Sequence, residues 1–133
     1  MANLIKHLAL ISESSQIGLG EVMKVAAALQ KQATRDLCPI WEIGATVDAF
    51  EKLEDMPLDY WPIVIRDDIQ VQAAGIHLDR NGQPFSLVTA TANIDEWSLT
   101  ASHECCEMLV DPMGNRLVAG YSVKPGQGRV NYL

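Results

Sequence analysis

The segment spanning residues 95–110 predicts a helix of inverted polarity, and that inversion limits what the rest of the chain can be. Asn93 with Glu96 three residues on makes a capping-box start, with Asp95 as the competing cap, and Pro112 and Gly114 form the stop. At roughly 100° per residue, Thr100, His103, Glu104, Glu107 and Asp111 fall in one stripe about a quarter-turn wide. Trp97, Ala101, Cys105, Met108 and Leu109 flank it on one side, and Leu99, Cys106 and Val110 on the other. A surface helix ordinarily carries an apolar stripe on a polar cylinder. The reverse pattern predicts a helix packed on both flanks and open only along its polar stripe, beneath the floor of a cleft.

The segments that precede it can supply the layers to bury it. Residues 4–12 read as a strand, with His7 as a structural histidine within it. From about residue 16 to 37 the pattern turns helical: Leu19, Val22, Met23, Ala26, Leu29 and Ala33 recur at three- and four-residue steps. Gly18 and Gly20 weaken its first turn, and Ser14 or Ser15 is the expected cap. Cys38-Pro39 is the expected end, because the residue before proline disfavours the helical region. Residues 40–47 read as a second strand, parallel to the first through a crossover. A loop or short helix over residues 48–60 leads to a strand over 61–71, in which Asp67-Asp68 reads as a turn at the strand end. Residues 74–79 and 84–92 then form a hairpin about Arg80-Asn81-Gly82-Gln83, since Asn-Gly is the strongest short hairpin signal. The whole, residues 1–133, is expected to be one small α/β (α+β) domain: a mixed β-sheet with two main helices, the second carrying the polar stripe.

Charge and hydropathy narrow the partners. With 10 Lys and Arg against 17 Asp and Glu the net charge is −7, and no basic cluster offers a nucleic-acid footprint. The longest apolar runs, such as residues 8–11, fall far short of a membrane span. No apolar leader-like region opens the chain, so a cytoplasmic setting is expected. The three cysteines, Cys38, Cys105 and Cys106, form no C-x-x-C pair and read as reduced thiols.

The chemistry lies on the stripe. Glu107 and Asp111 are like charges four residues apart, at the negative end of their own helix, and no Lys or Arg occurs between Arg80 and Arg116. A bound cation would remove that cost and give His103 and Glu107 a shared task. The alternative is a solvated acidic face with one incidental histidine.

His103-Glu104-Cys105-Cys106-Glu107 resembles the His-Glu-x-x-His helix of zincin metallopeptidases. It is more similar to a variant group of bacterial and phage-type zincin-like metallopeptidases that read Ser-His-Glu-x-x-Glu, then an apolar stretch and Asp-Pro. Ser102 to Pro112 carries this pattern, and the similarity extends upstream through Gly75-Ile76-His77 and Gly82-Gln83-Pro84-Phe85, covering about the second half of the chain. The resemblance implies that His103 is a metal ligand and that Glu104 is the general base that activates water. Glu107 stands where zincins place their second histidine. A carboxylate there binds zinc, while harder donors shift preference toward manganese. A third ligand is required. Asp111 lies about 12 Å from His103 along an ideal helix axis, and His77 on the hairpin is the other candidate. The expectation is a metal-dependent hydrolase of the metallopeptidase type, binding an extended peptide or protein substrate by strand addition at the hairpin edge. The alternatives are a non-catalytic relative that keeps the fold for binding or assembly, and a protein whose ion only staples the helix. No acidic residue follows Asp111, which favours the non-catalytic one.

Overall fold

The computed structural model describes residues 5–114, 118–121, 123–126 and 128–132. Its centre is a five-stranded sheet in the order β2-β1-β3-β5-β4. The central strands β1 (Ile5–Ser12) and β3 (Tyr60–Arg66) are parallel neighbours; β2 (Gly44–Phe50) runs parallel to β1 on the outer side, and β5 (Gln83–Thr89) runs parallel to β3. Only β4 (Gly75–Arg80) is antiparallel, folded back onto β5 as the edge strand. A separate two-stranded ribbon pairs β6 (Val118–Tyr121) with β7 (Arg129–Tyr132). This is the mixed α+β domain that the pattern of strands and helices predicts. Leu4, expected to open the first strand, lies outside the described residues.

Helix α1 (Leu19–Gln32) and helix α3 (Ile94–Val110) meet the sheet in one continuous core. Leu8, Leu10, Ile63, Ile65 and Val88 face Val22, Val25, Ala26 and Leu29 of α1 and Trp97, Ala101, Cys105, Met108 and Leu109 of α3. Each buried Val, Leu, Ile or Met side chain among them contributes roughly 1.5–3 kcal/mol by leaving water, so this shared core fixes α3 against the sheet. Cys105 lies within it, and burial pushes its thiol up to about 12; Cys38 and Cys106 are half-buried, and all three are unbridged. No helix among the described residues is long and apolar enough to cross a membrane.

Pro39 does not end the first helical run. After α1 the backbone widens into a π-helical stretch, Ala33–Leu37, and then makes one further helical turn, α2 (Cys38–Trp41). Pro39 sits in the first turn of that new segment, where a missing N–H costs nothing and Cys38 stays helical (φ −59°, ψ −40°). The run stops at Glu42, in the left-handed region (φ 53°). Ile40 and Trp41, expected on a strand, are therefore exposed helical residues, and β2 begins only at Gly44. Neither Ser14 nor Ser15 caps α1: Gly18 occupies the cap. Ser14 instead donates to the Asp67 carboxylate at 2.5 Å, and Gln16 donates to the same oxygen at 3.0 Å, joining the end of β1 to the turn after β3.

The hairpin has the expected two-residue turn. Arg80 pairs with Gln83, and Asn81 (φ 54°) and Gly82 (φ 78°) both take the positive φ that a type I′ turn requires.

Candidate metal centre

Helix α3 starts where β5 leaves the sheet. Asn93, not Asp95, is its cap: the Asn93 side chain accepts from the Asp95 amide at 2.9 Å, satisfying one of the orphan donors of the first turn. From that start His103, Glu104 and Glu107 stand at positions i, i+1 and i+4. His103 Nε2 lies 3.4 Å from Glu107 Oε2, and one ligand atom from each of the three residues lies within 4.8 Å of the others.

Burial divides the polar stripe instead of opening it evenly to a cleft. Glu104 is 4% exposed and belongs to the packed face with Ala101, Cys105 and Met108. The side chains of His103 and Glu107 are 72% and 46% exposed. The far flank is covered only in part, with Leu99 73% exposed and Cys106 and Val110 half-buried. Helix α3 is thus buried on one side, and the stripe runs along the boundary. The sheet and α1 supply full apolar cover for one flank only.

The cover over Glu104 is strand β4, and Gly75 is what admits it. A Cβ at Gly75 would meet Thr100 Cγ2 at 2.7 Å and Glu104 Oε1 at 2.9 Å. Strand and helix therefore approach closer than any residue with a side chain permits. The local signal was present in the sequence, because an isolated glycine in a strand marks a close backbone approach. What it approaches is tertiary information.

Under that cover Glu104 Oε2 is buried and has no hydrogen-bond partner among the described residues. Burial raises the Glu104 carboxyl above the ordinary carboxylate range; the Glu107 charge adds to the rise, and His103 and His77 oppose it. An orphaned, buried carboxylate oxygen is costly unless something else occupies it.

The two candidate third ligands are placed outside this trio. The His77 Nε2 is 2.7 Å from the carbonyl of Pro112. A carbonyl only accepts, so this nitrogen carries the hydrogen, and His77 ties β4 to the chain leaving α3. The Asp111 amide donates to the Glu107 carbonyl at 2.7 Å, and its backbone then leaves the helix (φ −140°). Sequence reasoning missed a further contact. Lys6 on β1 donates to the Leu109 carbonyl at 3.1 Å, placing a cation at the negative end of α3 from a position 103 residues away.

No family model, curated protein or solved structure matches this chain. Chemistry at the site is therefore argued from its own atoms. One imidazole and two carboxylates form a mixed nitrogen and oxygen donor set that suits a borderline or moderately hard divalent cation. Donor atoms of the three residues stand close enough to meet one ion, and the unpartnered oxygen of Glu104 is available there either as a ligand or as a base beside His103 and Glu107.

Proposed function

We propose that this protein is a metal-dependent hydrolase of the zincin-like metallopeptidase type, with α3 as its active-site helix. The observation that carries the reading is the pairing of an exposed His103–Glu107 couple with a buried, unpartnered carboxylate on the intervening residue. His103 and Glu107 would hold the cation, zinc or manganese by their donor set, with Asp111 or His77, both outside that trio, as the candidate third ligand. A bound cation would supply Lewis-acid polarisation and make water a stronger acid. Glu104 takes the proton from the attacking water at its carboxylate. Burial favours that role, since a general base works best when its pKa is raised toward the operating pH. Gly75 keeps β4 close over Glu104, and the free edge of β4 offers backbone groups to an extended peptide.

Metal analysis of protein purified without chelators tests the reading. Wild type and Glu104→Gln are expected to retain a divalent cation and His103→Ala to lose it; wild type without metal overturns the proposal. Cleavage of a labelled peptide library then separates the enzyme from a metal-stapled fold. Glu104→Gln is expected to lower the rate at least a hundredfold, in line with the loss of a general base.

A further inference from the structure

Strand β4 has two faces, and the one turned away from α3 forms a cavity that the proposed hydrolase chemistry does not use. Gly75 and His77 face the helix. Leu78 and Arg80 face the other way and join Phe85 and Leu87 of β5 and Pro62 and Val64 of β3. The connection between β2 and β3 closes one wall with Leu53 and Met56. The groove, open to solvent along one side, has a volume of about 460 Å³, within the range of small-molecule sites.

Charge selects the occupant. The chain carries 17 acidic residues, yet among the described residues none lines this groove, and its charged walls there are Arg66 and Arg80. The two stand at opposite ends, Arg66 beside Thr89 and Arg80 beside Gln83. Arg66 is already neutralised, with Nε donating to the Glu13 carboxylate at 2.6 Å. Arg80 forms no ion pair among the described residues and is flanked by Asn81 and Gln83, which add polar groups at the same end. An apolar trough with one uncompensated guanidinium at its mouth matches a ligand with one anionic head and a hydrocarbon body. We infer that this groove binds a small amphiphilic carboxylate, its head on Arg80 and its body along Leu78, Phe85 and Leu87. Arginine favours this head chemistry because its planar fork donates two parallel hydrogen bonds to a carboxylate.

Titration of the full chain with octanoate, octanamide and octylammonium, followed by calorimetry and backbone NMR, tests the inference independently of any hydrolase activity. Octanoate is expected to bind saturably, about tenfold more tightly than octanamide, the increment of one charge-assisted contact. Octylammonium is expected to bind more weakly than either, and shift changes should map to β4 and β5. Arg80→Gln, an exposed position, is expected to bring octanoate to the octanamide level. Leu78→Ser is expected to weaken all three. The inference is overturned if octanoate shows no saturable binding, if the three heads bind alike, or if Arg80→Gln leaves the preference intact. It is equally overturned if sedimentation shows a dimer that Leu78→Ser dissociates, because a second copy would then fill the groove.

Discussion

Glu104 Oε2 has no hydrogen-bond partner among the described residues, and burial outweighs the opposing pull of His103 and His77, an imbalance with a measurable sign. Its carboxyl is raised in the folded protein, so the folded state holds the proton more tightly than the unfolded chain. The contribution to stability is present below the ordinary glutamate value and is lost as pH rises through the raised one. In chelator at neutral pH, Glu104→Gln is therefore expected to be more stable than wild type by about 1 kcal/mol, the scale of a buried unsatisfied group. Thermal melts of both proteins at pH 7 and pH 4 check this, with the difference expected to vanish at the lower pH. Gly75 makes the complementary case. Gly75→Ala places a methyl group against the stiff, β-branched Thr100 and the buried Glu104 carboxylate, and is expected to cost about 1–3 kcal/mol in urea unfolding. Spacing alone puts His103, Glu104 and Glu107 in one stripe with Thr100 and Asp111, and the role of Glu104 comes from the resemblance. Which of the three is buried does not follow from spacing, because each flank of the stripe carries apolar side chains and only the sheet decides which one is covered.

Among the elements, strands and hairpin were legible where local chemistry determines them. Residues 80–83 read as a turn because Asn-Gly tolerates positive φ at both positions, and the structure uses it so. The first helical run was harder. Proline was expected to stop it, but the π-helical widening at Ala33–Leu37 lets the chain restart with Pro39 in a first turn, displacing β2 toward residue 50. The C-terminal end of α3 falls at Val110 as expected, but the cation beside its last carbonyls comes from β1, which no local pattern expresses. Lys6→Met removes the contact with Leu109 and is expected to destabilise the protein by about 1 kcal/mol, with faster amide exchange in the last turn of α3. Exchange unchanged in that turn would show that Lys6 contributes nothing there.

At the scale of the whole molecule, the parallel β1–β2 pair and the β4–β5 hairpin were legible from the crossover and the turn, whereas the place of β3 on the other side of β1 was expressed by no local pattern. β1 lies between β2 and β3, so the chain crosses from one side of its first strand to the other before it reaches the hairpin. That crossing puts β5 beside β3 and leaves β4 as the outermost strand, free on one edge and pressed against α3. Hydrophobic periodicity specifies which residues are inside, but it is indifferent to the sequence of neighbours across a sheet. The two-residue turn at Asn81-Gly82 then acquires a meaning beyond its own geometry. Side chains on a strand alternate between faces, so the turn length alone assigns Gly75 and His77 to the helix side and Leu78 and Arg80 to the open side. Both surfaces of the hairpin are set by one parity. An insertion or deletion of a single residue there would exchange them together, turning Ile76 toward Glu104 and Gly75 toward the groove. The hairpin's inner and outer chemistries are thus inherited as a unit, and neither can be re-registered without loss of the other.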